Sequence, residues 1–264
     1  MVKECAVRLF AFVPGCTLDR RSLTDKICLT WGALLGRLHR TLEGADKYPA
    51  LLKRYTAWSL WSVPELVPLV DVVVDNMEDR QIVRDVLTQF AELEQELRSL
   101  PVGVLHGDLN EKNVLTRPSV EEDRAEDQGD RAGDEVYAVL DWGDVHGGPR
   151  VLDLAVLLAY VLIAPTGSRS AEENAGLALS AYLRHVPEEK EHVPLLRTLI
   201  AARLCQSLVK GLQAYQQHPG NTYVLDTQKS GWHGLRRLWN TPNDELMAVW
   251  NRVLGETTLP SADT

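Results

Sequence analysis

Apolar residues recur at helical spacing in two segments of the first hundred positions, and both segments predict amphipathic helices. The first segment comprises Ile27, Trp31, Leu34, Leu35, Leu38 and Leu42, with Gly44 as its end. Ser22 and Asp25 have the spacing of a capping box in front of it. The second segment comprises Ile82, Val83, Val86, Leu87, Phe90, Leu93 and Leu97. Each helix therefore has one apolar face.

The stretch VRLFAFVPG, ahead of the first helix, is rich in residues that favour strands. It predicts a strand that ends at Pro14 and Gly15, since both residues interrupt regular structure. Between the two helices, residues 48–68 are rich in Trp and Pro and predict irregular structure.

Short β-like runs replace the helical spacing between residues 102 and 145. The runs NVLT and VYAVLDW predict the two strands of a hairpin. Residues 118–136 join them and contain eight acidic and two basic residues, which is polar and long for a hairpin loop. We expect this loop to be mobile and solvated. It is either a tolerated surface insertion or a regulatory segment.

The pattern after Gly147, Gly148 and Pro149 is helical to the end of the chain. It predicts helices over residues 153–164, 171–185 and about 189–217, and a last helix with Thr241 and Pro242 as its N-cap and first residue. The element order is one strand, two helices, a hairpin unit and a helical bundle. This order predicts a mainly helical α+β fold and excludes a doubly wound α/β fold, in which strands and helices alternate.

Length, composition and net charge indicate what kind of protein and which partners are compatible with the sequence. The chain has 264 residues, of which 45% are hydrophobic and 25% charged, as in ordinary soluble proteins. The net charge is −9, and residues 118–136 contribute −6 of it, which leaves −3 for the rest. This balance argues against a nucleic-acid partner and is weak evidence for a cationic substrate.

The sequence predicts a cytoplasmic protein. No apolar run reaches the ~18 residues of a membrane-spanning helix, and the N-terminus lacks the pattern of a signal peptide. Cys5, Cys16, Cys28 and Cys205 show no CxxC spacing, which argues against a disulfide framework or a zinc site. The sequence does not predict the oligomeric state.

The stretch HGDLNEKNVL carries the candidate chemistry. Asp108 stands in the loop before the first hairpin strand, and Asn113 stands at the start of that strand. Asp141 stands at the end of the returning strand, so the hairpin brings Asn113 and Asp141 together with Asp108 beside them. Two carboxylates and an amide oxygen suit Mg²⁺ held together with phosphate oxygens. A carboxylate that is left free of the metal can accept a proton.

This arrangement matches the order used in phosphoryl transfer by kinases. That order is a catalytic Asp, four residues, a metal-binding Asn, and later a metal-binding Asp close to Gly. Gly107 replaces the Arg that protein kinases often carry there, and Asp153 follows Asp141 by only twelve positions. This leaves little room for a peptide-binding activation segment, so a small-molecule hydroxyl is the better acceptor.

The motifs VLHGDLNEKNVL, VLDWGD and VLDLA resemble those of the aminoglycoside phosphotransferase and choline kinase-like superfamily. The resemblance implies a protein kinase-like C-terminal lobe with Asp108 as catalytic base and Asn113 and Asp141 as Mg²⁺ ligands. His106 would support the loop. Asp153 would brace it through backbone contacts or cap its own helix.

Within that superfamily, the RLFAFVPG segment, residues 58–64 and residues 202–232 are similar to the hydroxylysine kinases. This similarity implies transfer of the γ-phosphoryl group of GTP, or of ATP, to the hydroxyl group of 5-hydroxy-L-lysine. The backbone at Phe12 and Val13 would meet the nucleotide base. Glu111 and Asp144 would meet an ammonium group of the acceptor, and Arg203 its carboxylate. The alternative for each of the three is a salt bridge at the surface or behind the site.

The resemblance also implies an N-terminal lobe with a Gly-rich loop and a Lys that pairs with the phosphates. We expect residues 1–16 to be the end of that lobe and the hinge, and residues 17–264 to be the helical C-lobe with its catalytic hairpin at 102–145. Most of the N-lobe would be missing, and the activity of this chain alone would be reduced or lost. The alternatives are a non-catalytic lobe that binds a ligand or partner, and a kinase for another small hydroxyl or amino-alcohol substrate.

Overall fold

The computed structural model describes residues 9–18, 21–44, 47, 49–117 and 134–258. The helices in these ranges are α1 (Asp25–Thr41), α2 (Pro49–Leu52), α3 (Val67–Val73), α4 (Met77–Ser99), α5 (Arg150–Ile163), α6 (Ala171–His185), α7 (Leu196–Gln217), α8 (Gln228–Asn240) and α9 (Asn243–Thr258). The strands are β1 (Cys16–Thr17), β2 (Val102–Leu105), β3 (Val114–Arg117), β4 (Glu135–Val139) and β5 (His146–Pro149). The fold is therefore mainly helical with small sheets, as predicted.

Two small antiparallel sheets lie beside the helices. One has the order β1-β3-β4, and the other pairs β2 with β5. The predicted hairpin is β3–β4, in which Val114 faces Val139. Its pairing continues beyond the strands, because the Leu140 N–H donates to the Asn113 carbonyl at 2.8 Å. The hairpin thus places Asn113 next to the residue that precedes Asp141.

The hydrophobic core is centred on α5 and α7. Every residue of α5 from Val151 to Leu162 is buried, so this helix is covered on all sides. Large side chains from α1, α4, α6 and α9 close the core around it, namely Trp31, Phe90, Tyr182 and Trp250. In the part of the chain that the structure describes, no helix has the length and apolar character needed to cross a membrane.

Local chemistry fixes several helix starts. The Ser170 side chain accepts from the Glu173 N–H while the Glu173 carboxylate accepts from the Ser170 N–H, so α6 begins with a capping box. The capping box predicted at Ser22 is wrong. The cap of α1 is Thr24, whose hydroxyl accepts from the Ile27 N–H at 3.2 Å, because the chain becomes helical only at Asp25.

Three predicted elements differ from the structure. Residues 9–15 do not form a strand, and Phe10 and Phe12 are largely exposed, because among the described residues no strand pairs with this segment. The predicted helix over 189–217 begins only at Leu196, since Pro194 cannot donate within an α-helix and lies in a 3₁₀ segment, Pro187–Leu195. Residues 48–68 include α2 and a second 3₁₀ segment, Leu60–Leu66.

The structure describes the last three residues of the acidic loop that is predicted over 118–136. Residues 118–133 lie outside the described residues. These three residues do not belong to a solvated loop, so the predicted boundary is corrected. Asp134 is buried and pairs with Arg21 at 2.6 Å. Glu135 and Val136 belong to β4 because they complete the ladder with β3.

A close approach of α1 and α6 leads to a first prediction. A Cβ atom on Gly32 would lie 1.9 Å from the Ala178 carbonyl oxygen of α6, which is backbone and cannot swing aside. We expect Gly32→Ala to lower the free energy of unfolding by about 1–3 kcal/mol in urea denaturation, because it overpacks the core. The control is Gly255→Ala on α9, where a Cβ meets no atom within 4 Å. That variant should be as stable as the wild type or slightly more stable.

Candidate active site

The loop between β2 and β3, residues 106–113, is the centre of the candidate site. It begins with a tight turn at Gly107, whose φ is +85°. A Cβ atom there would lie 2.5 Å from the Asp144 carbonyl oxygen and 2.9 Å from the His146 ring. Only glycine allows both this backbone conformation and this close contact. The loop therefore packs directly against the residues that follow Asp141.

The Asp153 carboxylate binds the backbone of this loop. Its two carboxylate oxygens accept from the backbone N–H groups of His106 at 2.8 Å and Gly107 at 2.9 Å. His39 of α1 lies 3.1 Å from the same carboxylate and contacts the Tyr182 hydroxyl with its other ring nitrogen. The alternative that Asp153 caps its own helix is wrong, because α5 begins three residues earlier at Arg150 and the carboxylate is used by the loop.

The charge of Asp153 is strongly stabilised although the side chain is completely buried. Burial on its own would raise the pKa of its carboxyl group. The contact with His39, the interaction with His106 and the Gly107 N–H outweigh burial and lower the pKa to about 2. Asp153 is therefore ionised at neutral pH.

His106 is a fully buried part of the loop's frame. One ring nitrogen lies 2.9 Å from the Leu140 carbonyl oxygen, and the other accepts from the Asp108 N–H at 3.3 Å. The ring also contacts Trp142, with the centroids 5.2 Å apart. Both nitrogens are thus occupied by backbone groups on either side of the site.

Asp108 is held by three side chains. Its Oδ1 accepts from Arg203 of α7, and its Oδ2 accepts from Asn110 at 2.9 Å and Asn113 at 3.0 Å. Asn113 also donates to the Asp108 carbonyl at 2.8 Å. Burial raises the pKa of Asp108, and the charge of Arg203 opposes that rise. The carboxylate is therefore fixed in position and better able to take up a proton than an exposed aspartate.

Asn113 and Asp141 are the candidate metal ligands. The Asn113 amide nitrogen is bound to Asp108, so its amide oxygen is the atom left for a cation. Asp141 has the left-handed φ of 53°, is exposed, and accepts from the Gly143 N–H at 3.0 Å. One carboxylate and one amide oxygen fit Mg²⁺, which keeps several waters and phosphate oxygens as further ligands. The described residues include no cluster of three His, Cys, Asp or Glu side chains that could bind a metal alone.

Asp108 and Asp141 line a cleft of about 320 Å³. Glu111 and Asp144, the predicted partners of an ammonium group, line the same cleft, and Asp144 accepts from the Thr56 hydroxyl. Arg203 lines it too, but is only 1% exposed and contacts Asp108. The structure thus brings these five predicted residues together, whereas their roles in binding remain predictions.

The predicted nucleotide-contacting residues lie elsewhere. Phe12 and Val13 belong to the extended segment 9–15, with exposed fractions of 89% and 38%. Neither residue lines the cleft that contains Asp108. Their role at the nucleotide base remains a prediction.

Sequence reasoning missed several residues of the cleft. Trp58, Tyr160, Lys210 and Tyr223 also line it. The contact of Arg203 with Asp108 was missed as well, although one signal was available. Arg203 and Gln206 interrupt the apolar pattern of α7 three positions apart, and both are buried. Buried polar groups at helical spacing indicate a shared network, because they need partners.

Comparison with known proteins places the chain in a family. The model of the phosphotransferase enzyme family matches residues 1–189. The chain belongs to this family. The predicted superfamily is thereby confirmed, and so is the similarity to hydroxylysine kinases. The chain is 29% identical to the hydroxylysine kinase of Bos taurus over 256 residues and 25% identical to that of Mus musculus over 253 residues.

Each of these two alignments covers 94% of the chain and 65% of the relative, so the chain spans about two thirds of the relatives' length. Among solved structures, an amicoumacin kinase in complex with AMP-PNP and Ca²⁺ matches 93% of the chain and 65% of its own, with 18% identity and a TM-score of 0.47.

Proposed function

We propose that this protein is a small-molecule kinase that transfers the γ-phosphoryl group of GTP to the hydroxyl group of 5-hydroxy-L-lysine. The observation that carries the proposal is the Asp108 carboxylate, fixed between Arg203 and Asn113 in the cleft that Asp141 also lines. Membership of the phosphotransferase family supports the reaction type, and the hydroxylysine kinase relatives support the acceptor.

Asp108 acts as the base in this proposal. The acceptor's hydroxyl oxygen forms a bond to the γ-phosphorus, the bond from that phosphorus to the β,γ-bridging oxygen breaks, and the hydroxyl proton passes to Asp108. The nucleoside diphosphate is the leaving group. Because the transition state is anionic and loose, most of the rate acceleration comes from positioning the reactants and stabilising charge.

Asn113 and Asp141 would hold Mg²⁺. When bound, this ion supplies positive charge beside the phosphate oxygens. Asp141 keeps its carboxylate in place through the Gly143 N–H, and Asn113 keeps its amide in place through Asp108. Glu111 and Asp144 would bind the ammonium groups of the acceptor.

The finer points of the fold belong to the same proposal. The chain would provide the hinge and the C-terminal lobe of a kinase fold, and the nucleotide base would meet the backbone at Phe12 and Val13. GTP as the donor, rather than ATP, rests on the similarity to hydroxylysine kinases.

The test measures release of the nucleoside diphosphate by the protein with Mg-GTP or Mg-ATP. The acceptors are 5-hydroxy-L-lysine, choline and an aminoglycoside. We expect turnover with hydroxylysine and the highest rate with GTP. Turnover with choline or an aminoglycoside alone would contradict the acceptor. If the protein turns over none of these acceptors and shows no Mg²⁺-dependent nucleotide binding, it is not a kinase, and a non-catalytic binding role is indicated.

A second prediction concerns the metal ligands. Asp141→Ala removes one of two protein ligands, so we expect the Mg²⁺ concentration for half-maximal activity to rise at least about 10-fold. Asp144→Ala, three positions later, is the comparison variant. It should raise the KM for hydroxylysine and leave the Mg²⁺ dependence unchanged. A Mg²⁺ titration curve that is identical for Asp141→Ala and wild type would exclude Asp141 as a ligand.

A further inference from the structure

Arg203 is the most deeply buried cation of the cleft. It lies on α7, is 1% exposed, and is 95 positions away from Asp108 in the sequence. Its guanidinium group lies near two aromatic rings, with its central carbon 5.3 Å from the Trp58 centroid and 5.5 Å from the Tyr160 centroid. A buried charge of this kind is stable only when its N–H groups have acceptors.

The two terminal nitrogens of Arg203 are fully used by the protein. Nη1 donates to the Trp58 carbonyl at 3.0 Å and to Gln206 at 2.9 Å, and Nη2 donates to Asp108 and to the Tyr160 hydroxyl at 3.1 Å. These four bonds account for all four N–H groups of the two nitrogens. The remaining nitrogen, Nε, is buried and has no hydrogen-bond partner among the described residues. A substrate carboxylate could bind the two terminal nitrogens only by displacing one of these four acceptors.

Arg203 is itself held rigidly. Gln206, which accepts from Nη1, donates to the Ser59 carbonyl at 2.8 Å and to the Ser62 hydroxyl at 3.0 Å. The guanidinium is therefore fixed by the segment before α3, by α5 through Tyr160 and by its own helix. Its Nη2 is a fixed donor for Asp108 Oδ1, while Asn110 and Asn113 fix Oδ2.

We propose that Arg203 is a positioning residue, which acts in the proposed phosphoryl transfer by holding the Asp108 carboxylate in place and not by binding the acceptor. The inference rests on the proposed function for its kinetic consequence. Its physical basis is that a base displaced by about 1 Å can lose on the order of 100-fold in rate. Lys cannot replace the planar guanidinium, because one ammonium group does not span Asp108, Tyr160, Trp58 and Gln206.

The experiment compares Arg203→Lys with Arg197→Lys. Arg197 lies on the same helix, donates to the Trp239 carbonyl and stacks on the Trp239 ring, but it lies outside the cleft. We expect Arg203→Lys to lower kcat about 10- to 100-fold and to change the KM for hydroxylysine less than about 3-fold. Arg197→Lys should leave both constants unchanged. A large rise in KM with an unchanged kcat would show that Arg203 binds the acceptor and would overturn the proposal.

A double variant tests whether Arg203 acts through Asp108. In the Asp108→Asn background, Arg203→Lys should cause no further loss of kcat, because the carboxylate that it positions is gone. A loss as large as in the wild-type background would overturn the proposal. If Arg203→Lys does not fold, the same two tests are made with Tyr160→Phe. This variant removes one acceptor of Nη2, so we expect a smaller fall in kcat.

Crystal structures separate this inference from the proposed function. If the wild-type protein phosphorylates no acceptor, the proposed function fails, but the position of Asp108 can still be seen. We expect the Asp108 side chain to leave Asn113 in Arg203→Lys and to stay in place in Arg197→Lys. An unchanged Asp108 in Arg203→Lys would overturn the positioning role whatever the activity.

Discussion

Asp108→Asn should lower kcat about 10²- to 10⁴-fold, the range expected when a general base is lost. The amide has the shape of the carboxylate but cannot take the proton of the acceptor hydroxyl. Release of GDP from Mg-GTP in the presence of hydroxylysine measures the effect. A variant that keeps more than a tenth of the wild-type kcat would place the base elsewhere in the cleft.

The hydrogen-bond network around Asp108 determines which control experiments this variant needs. Oδ1 accepts from Arg203, and Oδ2 accepts from Asn110 and Asn113, so either orientation of the new amide places an N–H group against a donor. Thermal denaturation and Mg-GTP binding must therefore accompany the kinetics. The matched control is Asp71→Asn, in which an exposed carboxylate that pairs with Arg84 outside the cleft is changed in the same way. It should keep the wild-type kcat.

Elements with strong local signals were predictable from the sequence. Helix α6 begins with a reciprocal Ser170–Glu173 cap and was predicted with its observed ends. The β3–β4 hairpin was predictable from two short apolar runs, and its antiparallel register brings Asn113 next to Leu140. In an antiparallel hairpin, the residues at the start of one strand lie opposite those at the end of the other. The proximity of Asn113 and Asp141 could therefore be deduced without the structure.

Helix α8 was missed because its signal is weakened by glycine. Gly231 and Gly234 lower the helix propensity of this segment. In the structure they allow close packing, since a Cβ on Gly231 would lie 2.9 Å from Leu208, and one on Gly234 would lie 2.6 Å from Ile163. The requirement for small residues comes from neighbouring helices, and one sequence does not reveal which helices meet.

The identity of the partner of Arg203 could not be predicted for a related reason, although its spacing from Gln206 indicates a buried network. The two residues are 95 positions apart, and no local rule pairs a loop carboxylate with a residue in the middle of a distant helix. The sequence shows Arg203 as one of two polar residues three positions apart on an apolar helix. Its partner is determined by the packing of α7 against α5 and the segment before α3.

Asp153→Ala should destabilise the protein by about 3–5 kcal/mol, the usual effect of removing one partner from a buried charged network. The variant leaves the backbone N–H groups of His106 and Gly107 without acceptors, and His39 without its carboxylate. Urea denaturation at pH 7 measures the loss. Asp71→Ala is the comparison, because that carboxylate also has a lowered pKa but is exposed, so its removal should have little effect.

The pH dependence distinguishes loss of this charge from loss of packing alone. Asp153 has a pKa of about 2 in the folded protein and about 3.9 when unfolded, so its ionised form stabilises the fold. This contribution, about 2–3 kcal/mol, is complete above about pH 5 and is lost progressively as the pH falls towards 2. In Asp153→Asn the contribution is absent at every pH. The difference in unfolding free energy between wild type and Asp153→Asn should therefore shrink by about that amount between pH 5 and pH 2. A difference that stays constant over this range would mean that Asp153 acts through shape and hydrogen bonds and not through its charge.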